Sequence, residues 1–313
     1  MKKSSILAVV ICLIFTIGVV AGVYVKHNNT CTSSGDEKAV RVTADESTIV
    51  SYLGPQGTYT EEACKVFFEG RGTYEPYETV DDAVQALVDK KSTYAVIPQE
   101  NTIGGAVIDY VDTLINQKDV SVVGEVELPI SQNLLVLPGT ELGDIKTVYS
   151  HKQGIAQGKA WLEKNLPDAE VIEVSSTAEG AKKVSEENDA SHAAIASIGC
   201  VDVYGLEALA EGIQENDKNV TRFYVLSIEE PKEAEADRLT FIATGSADDL
   251  PSLMTDIQGH DIKLVTVHDR PEKTELGKYN YVVECKDSSY KDYLDISENE
   301  KFEFRYLGSF YVY

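Results

Sequence analysis

The sequence predicts an α/β protein followed by a smaller βαββαβ, ferredoxin-like module. Three observations carry this. Between residues 49 and 226, short apolar runs alternate with segments whose apolar residues recur at helical spacing. Residues 227–237 are charged and poor in apolar side chains, which marks a linker. Beyond it, strand and helix patterns follow in the order strand, helix, strand, strand, helix, strand over about 75 residues. A chain of 313 residues has room for about two such domains.

Taken in order, residues 48–53 form a brief strand pattern that stops at the turn signal Gly54-Pro55-Gln56-Gly57. Thr58 or Thr60 then caps a helix through residues 61–68, with Glu61 and Glu62 in its first turn. Val84, Leu87 and Val88 share one face of a helix over residues 80–90. Residues 94–98 read as a buried strand running into Gln99-Glu100-Asn101-Thr102-Ile103-Gly104-Gly105. Val107, Ile108, Val111, Leu114 and Ile115 follow at helical spacing. Strands are expected at 120–126, 133–137 and 147–149, then a helix from Ser150-His151 through Trp161 and Leu162. A strand at 171–174, a helix at 177–186 and a strand at 193–196 repeat the alternation, which implies a largely parallel sheet covered on both faces. In the module, strands are expected at 238–244, 262–267, 279–285 and 302–313, and helices at 249–258 and 290–296.

The chain has 28 Lys and Arg against 52 Asp and Glu, a formal charge of −24. That balance argues against a nucleic-acid partner, which needs cations to neutralise phosphates. It leaves room for a small anion held by local donors. Residues 1–27 carry Lys2, Lys3 and Lys26 and no acid, and the stretch between Lys3 and Lys26 has no charge. At 1.5 Å per residue this stretch is long enough to cross a hydrocarbon core. A cleaved secretory signal, with Val19-Val20-Ala21 as its cleavage site, is the competing reading. The reading adopted is a membrane anchor with the acidic bulk outside the cytoplasm, joined to the folded part by a polar stalk over residues 28–47. Cys12, Cys31, Cys64, Cys200 and Cys285 are widely spaced, which argues against a metal site and against a dense disulfide framework. One isolated disulfide is left open.

Three strand-to-helix junctions are rich in small polar residues: Gly57-Thr58-Tyr59-Thr60, Glu100-Asn101-Thr102-Ile103-Gly104-Gly105, and Ser150-His151-Lys152-Gln153. Helix starts present free N–H groups and a positive dipole end, so such junctions suit a small carboxylate ligand. The Gly54 and Gly57 spacing matches no phosphate-binding loop. A fourth segment, Asn219-Val220-Thr221-Arg222-Phe223, brings a hydroxyl donor and a guanidinium to the start of an apolar strand.

In this order, the four segments resemble the prephenate dehydratase family over roughly residues 50–226, and the module resembles the ACT domain that commonly follows. The resemblance implies two periplasmic-binding-protein-like lobes with the substrate in their cleft. It also implies conversion of prephenate to phenylpyruvate, water and CO2 without a cofactor or metal. It implies Thr221 as donor to the leaving hydroxyl, with Asn101, Ser150 and Gln153 orienting the substrate. Arg222 and the helix start at Thr58 and Thr60 would hold carboxylates, Arg222 alternatively bracing the cleft through a salt bridge. Glu100 is either catalytic or a supporting acceptor. Thr102 and His151 complete the substrate side, His151 more as architecture than as acid.

Thr60, Gln99 and Lys152 stand where the family commonly has Ser, Ile or Val, and Pro. In the module the effector residues would be Leu250 and Arg270. Asp248 and Asp249 add two acids where an amino-acid carboxylate would approach, which opposes L-phenylalanine as effector while leaving dimerisation through the module. Residues 28–48 are too few for a chorismate mutase helix bundle. The alternative functions are an exported, non-catalytic carboxylate sensor on the same fold and an arogenate dehydratase.

Overall fold

A computed structural model describes residues 42–231, 236–260, 262–288 and 290–313. The expected anchor and most of the stalk lie outside the described residues. Among the described residues no helix is long and apolar enough to cross a membrane.

The first lobe contains β1 (Ile49–Leu53), α1 (Tyr59–Phe67), β2 (Thr73–Tyr77), α2 (Val80–Val88), β3 (Tyr94–Asn101), the short β4 (Gly105–Ala106), α3 (Ile108–Asn116) and β5 (Ser121–Pro129). The chain then crosses to a second lobe of β6 (Asn133–Val136), β7 (Thr147–Ser150), α4 (Lys152–Gln157), α5 (Lys159–Asn165), β8 (Glu170–Glu173), α6 (Thr177–Glu187), β9 (His192–Ala196), α7 (Cys200–Tyr204) and β10 (Glu207–Ala210). It returns as β11 (Val220–Ser227), which inserts between β3 and β5. The sheet orders are β2-β1-β3-β11-β5 and β10-β6-β9-β7-β8. This is the two-lobed, periplasmic-binding-protein-like arrangement expected.

Neither sheet is largely parallel, however. Only β1 with β2 and β3, and β7 with β8 and β9, run parallel. The strands next to the lobe crossings run antiparallel, because each crossing sends the chain back in the reverse direction. Strands β2 and β10 were not anticipated. Both lie at sheet edges and are half-exposed, so they lack the apolar run by which a buried strand is recognised. The helix expected through Trp161 breaks at Gly158, where an added Cβ would lie 3.1 Å from Ile195. Ala44 is buried against the core of the first lobe, so the end of the expected stalk is packed rather than free.

The C-terminal module consists of β12 (Arg238–Ser246), α8 (Leu250–Gly259), β13 (Lys263–Pro271), β14 (Lys278–Lys286), α9 (Tyr290–Ser297) and β15 (Phe302–Phe310). Its antiparallel order, β13-β14-β12-β15, is that of a ferredoxin-like sheet. Leu239, Phe241, Leu253, Ile257, Val283 and Ile296 form its own core. The module does not hang from the linker. Tyr110 and Tyr224 of the first lobe share a second buried cluster with Ile242, Val282, Leu307 and Phe310. Residues 311–313, expected to continue the last strand, leave it and bond to β5 instead: Glu127 N–H donates to Tyr313 O (2.9 Å) and Tyr313 N–H to Glu125 O (2.9 Å). That pairing covers an otherwise open sheet edge.

Candidate active site

A cavity of about 360 Å³ lies between the lobes. Thr58, Thr60, Asn101 and Thr221 line it from the first lobe, and His151, Gln153, Ser176 and Thr177 from the second. Three helices therefore begin at its wall: α1 after Thr58, α4 after His151 and α6 after Ser176. Their free N–H groups and dipoles favour an anion. Among the described residues no Asp, Glu, Lys or Arg lines this cavity.

Each helix start is built differently. Ser176 caps α6 by accepting from Glu179 N–H (3.0 Å). His151 accepts from Gln153 N–H at 3.4 Å, which requires an unprotonated Nδ1, and burial lowers its pKa accordingly. Thr58 has the extended conformation of a cap but donates its hydroxyl to Leu53 O (3.4 Å). Glu61 Oε2 accepts from Gly57 N–H (2.6 Å) just before α1. Across the cleft, Gly104 faces Gln153. A Cβ at Gly104 would lie 2.6 Å from Gln153 Nε2, so a larger residue there would push the end of the Gln153 side chain aside.

Thr221 and Asn101 are opposite each other on β11 and β3. Asn101 Nδ2 donates to Thr221 Oγ1 (2.8 Å) and to Asn219 Oδ1 (2.8 Å), while its Oδ1 accepts from Ile103 N–H (3.0 Å) and Gly104 N–H (2.9 Å). Every polar atom of Asn101 is thus engaged within the protein. Thr221 accepts a hydrogen bond and keeps its own proton to donate.

Other expected residues stand elsewhere. Thr102 accepts from Val220 N–H (2.9 Å) and clips the start of β11. Ser150 is fully buried and donates to Ile195 O (2.7 Å), tying β7 to β9. The expectation that Ser150 orients substrate is corrected accordingly, because its hydroxyl is enclosed and engaged. Arg222 is corrected too: it points away from the cleft into a cluster of carboxylates. It donates to both oxygens of Glu125 (2.8 and 2.8 Å), to Glu100 (3.1 Å) and to Glu284 of the module. Bracing, the alternative reading for Arg222, fits this geometry, and Glu100 joins it as an acceptor outside the cavity lining. Sequence reasoning missed Gln132 and Gln157, whose side chains bond to each other (3.0 Å) at the cavity wall. It also gave no role to Asn219, although that residue stood in the fourth motif. In the module, Arg270 is held by both oxygens of Asp112 on α3 (2.6 and 2.6 Å).

Burial pushes the Glu125 carboxyl up to about 7, against the pull of Arg222. The folded chain then binds this proton more tightly than the unfolded one, where a glutamate titrates near its ordinary 4.5. The stability it contributes is fully present below about 4.5 and is lost as the pH rises to about 7. Thermal midpoints of wild type and Glu125→Gln, measured from pH 5 to 8, are expected to show a fall with pH that the variant lacks. Parallel curves would refute this.

The family profile for prephenate dehydratase matches residues 50–231, more than half of the chain. The chain belongs to the prephenate dehydratase family. It is 36% identical over 238 residues to a bifunctional chorismate mutase/prephenate dehydratase of Aquifex aeolicus, covering 75% of this chain and 64% of that one. A prephenate dehydratase of Lactococcus lactis subsp. cremoris is 31% identical over 247 residues, covering 77% of this chain and 87% of the relative. The crystal structure of prephenate dehydratase in complex with L-Phe from Arthrobacter aurescens superposes with a TM-score of 0.75 at 28% identity, covering 84% of this chain and 90% of that one. The chain therefore spans somewhat under two thirds of the bifunctional Aquifex relative and most of the other two proteins.

Proposed function

We propose that the chain converts prephenate to phenylpyruvate. The carboxylate on the ring leaves as CO2, its bonding pair enters the ring, and the 4-hydroxyl departs with one added proton as water. The observation that carries this reading is the Thr221 hydroxyl, oriented by Asn101 so that its proton is free for the cavity. Thr221 donates to the departing oxygen and regains its proton from solvent. The helix starts at Thr58, His151 and Ser176 hold the negative substrate by neutral N–H donors and dipoles, there being no Lys or Arg among the described lining residues. A wall without strong counter-charges also suits a carboxylate that must shed its hydration before it leaves as CO2.

Family membership and the free donor both support turnover over a purely sensory role. Purified protein mixed with prephenate at neutral pH is expected to form phenylpyruvate well above the spontaneous rate. Saturable binding without turnover would instead identify a sensor. Among the described lining residues no carboxylate is available to pair the ammonium of arogenate, which supports the keto acid as substrate.

The relative solved with L-Phe supports a phenylalanine effector here as well. The bond between Arg270 and Asp112 means that such an effector binds without Arg270 or displaces Asp112. Self-association through the module and a membrane anchor within residues 1–27 complete the proposal. The uncharged stretch between Lys3 and Lys26 supports the anchor. Membrane fractionation with N-terminal sequencing tests it, and a mature start near Gly22 would replace it with a cleaved signal.

A further inference from the structure

Glu284 lies on β14 of the C-terminal module, yet its surroundings belong mainly to the first lobe. It is 1% exposed. Gln99 Nε2 of β3 donates to it at 2.8 Å. The Tyr224 hydroxyl and the Arg222 guanidinium, both on β11, also donate to it. Arg238 of β12 makes an ion pair with it at 3.3 Å. One carboxylate of the module thus gathers groups from both strands that carry the cleft residues. Gln99 is two residues before Asn101, and Arg222 directly follows Thr221.

The local backbone makes this position consequential. The pairing of β11 with β3 shifts between Arg222 and Phe223. Successive side chains of a strand point to opposite faces, so a slip of one residue there would turn Thr221 out of the cleft and Arg222 into it. Glu125 and Glu284 draw Arg222 to the module side, and Gln99 is drawn the same way. We infer that Glu284 is a positioning residue for catalysis, acting through Arg222 and Gln99 to keep Thr221 and Asn101 facing the substrate. The module is then part of the catalytic lobe and supports turnover in the absence of any effector. This rests on the dehydratase reading above.

A glutamine at position 284 keeps the shape but removes the charge, and it turns an amide N–H₂ toward donors. In the full chain, Glu284→Gln is expected to lower kcat about tenfold with KM within about twofold, because the reacting geometry loosens while the neutral N–H donors that hold the substrate carboxylates stay. Glu284→Asp, which keeps the charge, is expected to regain most of the loss. Gln99→Leu removes one hydrogen bond to Glu284, given by a neutral donor, and is expected to lower kcat about threefold. It also decides the matter should Glu284→Gln fail to fold. Rates are measured at temperatures where each variant is folded by circular dichroism. If folded Glu284→Gln retains a kcat within twofold of wild type, or if only Gln99→Leu folds and its kcat is unchanged, the positioning role is overturned and the dehydratase reading stands. A wild type without turnover overturns both.

Discussion

Replacing Thr221 by alanine is expected to lower kcat for phenylpyruvate formation by about 100-fold or more, the scale of a positioned proton donor. The hydroxyl has one protein partner, Asn101 Nδ2, and that amide keeps its second bond to Asn219. Stability should therefore change by no more than about 1 kcal/mol, and the loss should appear in kcat at temperatures where the variant is folded. Thr221→Ser keeps the donor and is expected to stay within about tenfold of wild type. Equal rates for wild type and Thr221→Ala, measured by phenylpyruvate absorbance, would remove Thr221 from the reaction while leaving the family assignment untouched.

Replacing Arg222 by methionine is expected to cost about 3–5 kcal/mol of stability, the usual scale for breaking a buried ion pair from one side. Glu125 is fully buried and Glu284 is 1% exposed. Without Arg222, Glu125 loses its bidentate partner, and Glu284 keeps only the ion pair with Arg238 among cations. Adding Glu125→Gln to Arg222→Met replaces one of the two buried carboxyls left without Arg222 by a neutral amide and is expected to restore part of the loss. Urea denaturation of the single and double variants checks this. A single variant within about 1 kcal/mol of wild type would mean that the cluster carries little net energy.

Much of the fold could be read from residue order. The strand at Tyr94–Asn101 and the helix at Val80–Val88 are strongly patterned, with buried residues on the expected faces. The edge strands β2 and β10 were missed because half-exposed strands carry no apolar run. At the site, Thr58, Thr60, Asn101, His151, Gln153 and Thr221 line one cavity although they come from four separate segments. Motifs could group them because each sits at an end of a strand or at the start of a helix. Gln132 and Gln157 carry no such signal. Neither belongs to one of the four motifs, and only the facing of the two lobes brings them to the wall.

Arg222 shows the limit most clearly. A guanidinium beside Thr221 suggests a carboxylate clamp, and the carboxylates it meets are indeed there, but they are Glu100, Glu125 and Glu284 of the chain itself. Gln99 is another case. It stands where the family commonly has an aliphatic residue, and its meaning appears only with Glu284 at 2.8 Å.

By itself, the sequence determined the alternation of strands and helices, the polar helix starts, and the proximity of a hydroxyl to an arginine at the head of β11. These follow from local periodicity and capping chemistry, which neighbouring residues settle among themselves. Only the tertiary structure decided which of Thr221 and Arg222 faces the cleft. Side chains alternate across a strand, and the choice of face depends on register with β3 and β5 and on a buried carboxylate supplied by another module. Those partners are far along the chain, and a buried charge left without its partner is costly, which favours the register that pairs Arg222 with them.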